Sequence, residues 1–491
     1  MTSHSRSNSS NSFNKNNLQK PAQKIAAGGR IQVSKKSWIV RITILVAIAI
    51  TVIYRIEQGI DRQDPFAMYS TVLPIHIILI FIAAWIWYKN PAKCAFDAND
   101  LVSVIIPIYN QQEMIEIVID AIYQSTYKNV EVIAVNDGSK DRTKEILDKL
   151  KKEKYPTLKV IHKKNEGKRK AVAVGFYASK GEYLVMIDSD SVIDKNAIEE
   201  FVKTFYTHPT VGSLAGQARV WNAQKNILTR MQNSWWDFVS NVHRACESAF
   251  ESVTCCSGCL SAYRRQSIAN FMPYWIETSD YHDADRELSA YAIAPGTDIK
   301  NRIVEGLLDN PHSPSSFSEK LKNEASKYDD SEDRALTANA LVTWKSLYVA
   351  SAIVYSDSPE TIKQFLNQQT RWKKGYLRTN FYLSTFFWRS RHPFISLVYY
   401  ADLMSTFTQP FINLTVLAYE PLIVHDIWIP IAYLAGTALT GLAQGLDIRF
   451  RERTAKHWKY NPLMNLFGIF VLSWLLFYAL WTFKKNSWMT R

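Results

Sequence analysis

The first 37 residues contain no Asp or Glu, against seven Lys or Arg. A tail of one charge sign, rich in Ser and Asn, has too little apolar surface to build a core and reads as disordered. It is not a signal peptide, because the first apolar run begins too late and no small-residue cleavage site follows it. Cysteine is scarce: there are 5 in 491 residues, and Cys246, Cys255, Cys256 and Cys259 cluster. Cys256 and Cys259 form a CxxC, but no second CxxC or Cys/His pair follows, so zinc-site spacing is incomplete. Reduced thiols in the cytosol are the expected state. No nucleic-acid-binding motif accompanies the net charge of +13, which points instead to cytosolic loops and anionic lipid. A mean hydropathy of −0.16 excludes a bundle that is apolar throughout. Aromatics, at 13%, fit membrane-interface belts and stacking on sugars.

Long apolar runs are confined to the two ends. Residues 38–54 and 70–88 are each long enough to cross about 30 Å of hydrocarbon. Together they give two transmembrane helices over 38–88, with Arg41 snorkelling from the basic end of the first. Near the other end, 394–417 and 421–446 read as two further spans within 393–446, joined by a short turn at Glu420 and Pro421. The basic flanks place the segment between the two pairs in the cytosol. The run 462–483 is basic at both ends, so a re-entrant or interfacial helix satisfies the charge rule better than a fifth span.

Residues 99–220 change character. The β-rich runs LVSVIIPIYN, VEVIAVNDGS, LKVIHKKNEG and EYLVMIDSDS alternate with helical patterns at 111–125, 141–154, 167–179 and 194–208. That alternation implies a parallel sheet covered on both faces. Ligands bind such sheets at the C-terminal ends of the strands. Tyr109-Asn110, Asn136-Asp137-Gly138-Ser139 and Asp188-Ser189-Asp190 fall at those ends. Residues 221–276 are Trp-rich and helical, and 277–330 read as a surface insertion.

Several short motifs carry chemistry. The DSD at 188–190 offers carboxylate oxygens, the hard ligands that Mg²⁺ or Mn²⁺ takes in small number from protein when it bridges phosphates. Asp190 is the direct ligand in this reading, and Asp188 lies nearer the nucleoside; such a metal neutralises charge growing on a departing diphosphate. Asp137 is placed either to accept the N3–H of a uracil or to form an Asx-turn before Gly138. Lys168, Arg169 and Lys170 open a helix and form either an anion site or a solvated basic face. In SEDR, Asp333 beside Arg334 is a carboxylate able to act as base on an acceptor hydroxyl, with Arg334 holding it ionised. NQQTRW (367–372) offers Arg371 to a phosphate and the flat face of Trp372 to a sugar ring; the plain alternative is a helix end anchored at the membrane interface.

In that order, with apolar spans on both sides, Asp137, DSD, SEDR and QxxRW resemble the processive family 2 glycosyltransferases, over about residues 38–491. Within that family, RACESAF with CCSGCLSAYRR, QQTRWKKGYLR, and FYALWTFKKNSWMTR look like the SGPLxxYR, QQxRWxxSYxR and WGTR segments of membrane hyaluronan synthases. The resemblance implies a cytosolic α/β GT-A (Rossmann-like) catalytic domain over 99–372, embedded between transmembrane α-helices. An interface helix follows at 373–392, and 447–491 hold a basic loop, the re-entrant helix and a gating segment. It implies UDP-sugar donors, a growing polysaccharide and the bilayer as partners, Mg²⁺ or Mn²⁺ as cofactor, and a multi-pass plasma-membrane location. Tyr109, Asp137, Lys168, Asp188 and Arg371 would serve the nucleotide donor, and Asp190 the metal. Asp333 would be the base, and Ser257, Gln368 and Trp372 would meet the acceptor. Trp488, Thr490 and Arg491 would close over the nucleotide. Cys259 stands where the family has Pro, Ser331-Glu332 where it has Gly-Asp, and Met489 where it has Gly. The product class implied is hyaluronan from UDP-GlcNAc and UDP-GlcUA; a chitin or other β-GlcNAc polymer from UDP-GlcNAc alone is the alternative.

Overall fold

A computed structural model of the chain describes residues 72–92, 99–269, 271–272, 331–452 and 455–483, with scattered helical positions between 38 and 60. The expectations for the tail at 1–37, the insertion at 277–330 and the gating residues Trp488, Thr490 and Arg491 lie outside the described residues.

The β-rich runs form strands because their apolar residues are continuous rather than alternating, which suits strands covered on both faces. All seven residues of β1 (Val102–Ile108) are buried. Beside it lie β2 (Val130–Asp137), β3 (Lys159–Lys163) and β4 (Tyr183–Met186), each pairing parallel. Only this half is the expected parallel sheet. β5 (Ser191–Ile193), β6 (Val211–Val220), β7 (Ser261–Arg264) and β8 (Lys345–Ser356) extend it to eight strands in the order β3-β2-β1-β4-β7-β6-β8-β5. The sheet is mixed, because β7 runs antiparallel to β4 and to β6, and β5 antiparallel to β8.

Helix α1 is Val72–Ile82, continued by a π-turn to Trp87. Helices α2 (Ile115–Tyr123), α3 (Thr143–Lys149), α4 (Lys168–Ala178) and α5 (Ala197–Thr207) follow the expected helical patterns with frayed ends trimmed. α2 and α5 cover one face of the sheet through Ile119, Ile122, Phe201 and Phe205. The opposite face carries α4, and its core runs without a break through Phe176 and Tyr348 into Phe81, Trp85, Tyr382 and Val398 of the flanking helices. The catalytic sheet and the apolar helices therefore share one core. Gly175 lets α4 approach β1, since an added Cβ would overlap Ile105 Cγ2. Gly175→Ala is expected to lower stability by about 1–3 kcal/mol through overpacking, read as an earlier thermal transition of the detergent-purified protein.

Beyond the sheet come α6 (Ile227–Phe238), α7 (Ala245–Ala249) and α8 (Glu332–Ala340). Helix α9 (Ile362–Leu383) starts at a capping box between Thr361 and Gln364. It runs unbroken across residue 372, where the catalytic domain was expected to end, and places NQQTRW mid-helix rather than at a helix end. α10 (Pro393–Leu414) begins with Pro393 at its first turn. It continues through Pro421 as a π-helix to Val424, so the break lies at 425–427 and not at Glu420–Pro421. His425 there has a left-handed φ of 60°, and Asp426 accepts the Trp428 amide at 2.9 Å to cap α11 (Trp428–Arg451). The wider helix tolerates the missing proline N–H; the capping carboxylate fixes where the chain turns.

Among the described residues α11 alone is long and apolar enough to cross a bilayer by itself. The stretch from His457 to Leu472 meets α13 (Leu475–Trp481), the helix after α12 (Asn461–Phe467), at a bend of 41°. Asn413 of α10 donates to the Ile469 carbonyl at 3.1 Å and the Ser473 hydroxyl at 2.9 Å at this bend, supplying a partner where the helix ladder is interrupted. Arg41 does not snorkel. It is 2% exposed, pairs with Asp447 of α11 at 2.9 Å and lies over Trp85, because a guanidinium enclosed by helices needs a counter-ion rather than an interface.

Candidate active site

The C-terminal ends of β1, β2 and β4 bring the polar clusters to one edge of the sheet. Tyr109 follows β1 and is partly exposed. Its neighbour Asn110, at φ 53°, donates its amide to Ser139 Oγ at 2.9 Å and accepts the Lys140 amide at 2.8 Å. The β1 and β2 loops thus hold each other. Asp137, 3% exposed, faces inward. Its carboxylate accepts Lys163 Nζ at 2.6 Å and the amides of Glu166 and Gly167 at 3.0 and 2.8 Å. The nearest role of Asp137 is therefore to fix the loop that launches α4.

Lys168, the first residue of α4, reaches over the sheet edge. Its ammonium donates to Asp188 Oδ1 at 2.5 Å and also pairs with Glu332 Oε1. Burial alone would lower its pKa, but the two carboxylates outweigh it and raise it. Glu332, 8% exposed, is pushed the opposite way from an ordinary paired acid: burial, then Asp333 and Asp188, raise its pKa against the pull of Lys168. Sequence reasoning noticed Glu332 but gave it no role; its place became visible only when α8 and α4 met.

Asp333 stands next to Glu332 in the first turn of α8. Its Oδ2 accepts the Gly258 amide at 3.1 Å, with the Cys255 thiol at 3.9 Å, and its Oδ1 accepts the Arg334 amide at 2.8 Å. Arg334 thus supports Asp333 through its backbone amide, and its guanidinium, which also interacts electrostatically with the Asp333 carboxylate, lies 5.3 Å from the Tyr376 ring of α9. That contact sets the QxxRW helix beside Asp333. A cavity of about 10 Å³ lies among Lys168, Asp188, Gly258, Glu332 and Asp333. A Cβ on Gly258 would sit 3.0 Å from Lys168 Nζ and 3.1 Å from Glu332 Oε1. Gly258→Ala is expected to displace both and lower kcat/KM by roughly ten- to a hundredfold without unfolding the protein, as steady-state turnover beside a thermal melt would report.

Asp190, partly exposed, accepts the Ser191 hydroxyl at 3.1 Å. Among the described residues no three His, Cys, Asp or Glu side chains form a ready metal cage. Two carboxylates at the end of β4 are nevertheless the hard-oxygen donor set that Mg²⁺ or Mn²⁺ uses when phosphates and water complete its shell. Ser257 accepts a hydrogen bond from Arg244, a residue that sequence reasoning did not select. On α9, Gln368 buries its carbonyl oxygen without a hydrogen-bond partner among the described residues, and Arg371 is half-buried. Trp372 packs at 6.2 Å and 34° against Trp235 of α6. Further along, Arg378 donates to the Phe483 carbonyl, tying the last described residue to the same helix.

Residues 103–271 match the family model described as glycosyl transferase family 2. A hyaluronan synthase of Streptococcus pyogenes is 26% identical over 448 residues, 90% of this chain and 94% of its own. Human hyaluronan synthase 3 is 25% identical over 340 residues, 68% of this chain and 52% of its own. In three dimensions the chain resembles the mannosyltransferase PcManGT of Pyrobaculum calidifontis, solved in complex with GDP-Man and Mn²⁺. The TM-score is 0.51 at 17% identity, covering 87% of this chain and 99% of that one, which supports a GT-A fold. A Rossmann-like sheet with acidic groups at its strand ends and a carboxylate held beside an aromatic helix fits these relatives: residues 103–271 carry a family 2 glycosyltransferase domain, and the chain is similar to the hyaluronan synthases over most of its length.

Proposed function

We propose that the protein is a membrane-integrated, inverting, processive polymerase that joins UDP-GlcNAc and UDP-GlcUA into hyaluronan and passes the chain through its own helices. The observation that carries this reading is Asp333, held by two backbone amides at the N-terminus of α8 beside the Lys168–Asp188 pair and the QxxRW helix. In this reading Asp333 takes the proton of the acceptor hydroxyl. The freed oxygen pair attacks the anomeric carbon from the face opposite the nucleotide, the carbon–oxygen bond to UDP breaks, and UDP leaves with that electron pair. Two amide donors stabilise the ionised carboxylate and leave it lone pairs for the hydroxyl.

Lys168 and Arg371 would face the diphosphate, while Tyr109 and the loop fixed by Asp137 would border the nucleoside. Trp372, paired with Trp235, would offer the acceptor sugar a flat apolar face, and Ser257 and Gln368 would meet its hydroxyls. Asp190, with Asp188, would hold Mg²⁺ or Mn²⁺, which supplies charge neutralisation to the leaving diphosphate. Trp488, Thr490 and Arg491 would cover the nucleotide. The chain would cross the plasma membrane several times, with α10 and α11 among its spans.

The test is UDP release by the purified protein with UDP-GlcNAc alone, UDP-GlcUA alone and both, followed by hyaluronidase and chitinase. Sustained release with both donors only, giving a hyaluronidase-sensitive polymer, is expected, as is its loss in EDTA and recovery with Mn²⁺. A chitinase-sensitive polymer from UDP-GlcNAc alone would overturn the choice of product.

A further inference from the structure

The edge strand β3 ends on His162 and Lys163, which stand in register with Asn136 and Asp137 at the end of β2. Residues paired in this way point to the same face of the sheet, and each residue of β3 holds its partner. Lys163 donates to the Asp137 carboxylate at 2.6 Å. His162 holds the Asn136 side chain: Asn136 Nδ2 lies 3.0 Å from His162 Nδ1, and His162 Nε2 lies 3.0 Å from Asp148 Oδ1, in α3. No step of the reaction above uses His162.

The backbone settles which way these hydrogen bonds run. The Ser139 amide can only donate, and it meets Asn136 Oδ1 at 3.1 Å. The other end of the Asn136 side chain is therefore its NH₂, which donates to the ring, so His162 Nδ1 is an acceptor without a hydrogen. Nε2 then carries the ring hydrogen and donates to Asp148. Donation runs in one direction, from Ser139 through Asn136 and His162 to Asp148. The two ends differ in exposure: Asn136 is 2% exposed, and the Asp148 side chain 55%. The exposed pair contributes little by itself and chiefly orients the ring. A buried amide that loses its acceptor costs more. Ser139 in turn accepts the Asn110 amide through its hydroxyl, and Asn110 accepts the Lys140 amide. The Asn136 side chain thus ties His162 to both loops that carry Tyr109 and Asp137.

We propose that His162 is a positioning residue for the sugar donor. Through Nδ1 it fixes the Asn136 side chain, and with it the β1 and β2 loops, in the arrangement that receives the nucleoside. This rests on the nucleoside lying at those loops, as in the reading above. His162 touches no substrate in this role and acts on donor binding rather than on transfer.

Two replacements separate the ring nitrogens. Asparagine puts an acceptor oxygen near the place of Nδ1, whereas glutamine reaches only the place of Nε2. The test uses the full-length protein in detergent, with calorimetric UDP binding, initial rates with UDP-sugar donors, and inhibition by inorganic pyrophosphate. His162→Gln is expected to weaken UDP binding and raise the donor KM by about tenfold, as a buried amide without its acceptor supplies. Its kcat at saturating donor and its inhibition by pyrophosphate should stay within about twofold of wild type, because only the nucleoside end of the donor is affected. His162→Asn gives up Asp148 but keeps the acceptor, and should bind UDP within about threefold of wild type. Wild-type UDP affinity in His162→Gln overturns the proposal, and so does an equal loss for UDP and pyrophosphate. An asparagine variant as impaired as the glutamine variant also overturns it. The place of the nucleoside is judged separately, by photocrosslinking azido-UDP to the wild type. Label outside the peptides that hold Tyr109 and Ser139 overturns that placement and the role of His162 with it. Label within them, beside an unaffected His162→Gln, overturns His162 alone.

Discussion

Asp333→Asn is expected to lower kcat by about 10²–10⁴-fold, the usual contribution of a positioned general base, while UDP binding stays near that of the wild type. Asparagine keeps an oxygen able to accept one amide, from Gly258 or from Arg334, so the start of α8 should survive. It lacks a lone pair basic enough to take the acceptor proton. Single-turnover transfer and calorimetric UDP binding, measured on the same preparation, separate the two properties. Undiminished polymerisation would remove Asp333 from the role of base. Loss of UDP binding together with turnover would instead make Asp333 part of the fold of the site.

The second large effect is expected at Lys168. Lys168→Met keeps the stem but leaves Asp188 and Glu332 facing one another without their shared cation. Stripping one partner from a buried ion cluster costs roughly 3–5 kcal/mol, and here donor binding should fall as well. Adding Glu332→Gln removes one of the two stranded charges, so the double variant is expected to recover much of the stability but not the affinity for UDP-sugar. The pH dependence follows from Glu332. Its folded pKa lies above its unfolded value, so its share of stability is full at pH below the unfolded pKa and is lost as pH rises through the folded one. Removing Lys168 raises that folded pKa further. The Lys168→Met protein should therefore melt closest to wild type under mildly acidic conditions and fall away towards neutrality. Equal losses across that range would show that Glu332 does not titrate as argued here.

Both predictions concern one small volume, and that volume is connected to the apolar helices. Asp333 lies in the first turn of α8, Arg334 lies over Tyr376, and Tyr376 donates to Asp402 of α10. Three consecutive contacts run from Asp333 to an apolar helix.

The sequence alone determined the local elements and the cast of residues. Continuous apolar runs marked β1 to β4, 3.6-residue periodicity marked α2 to α5, and the polar clusters fell at strand ends because strands stop where apolar residues give out. Asp188, Asp190, Asp333 and Trp372 could be named because their motifs are short and contiguous. What the sequence could not reveal depended on partners far along the chain. β8 joins the sheet next to β6 more than 120 residues later, and its β-branched run carries no sign of where it pairs. The antiparallel entry of β7 made the sheet mixed. Arg41 finds Asp447 only after both helices pack, and Glu332 meets Lys168 only where α8 crosses the end of α4. Pro421 read as a turn because proline breaks an α-helix, but a π-helical segment absorbed it and a capping aspartate moved the break. Periodicity and turn chemistry act over a few residues and are legible in order. Ion pairing, register and enclosure are set by which surfaces finally meet, and only the tertiary structure decides that.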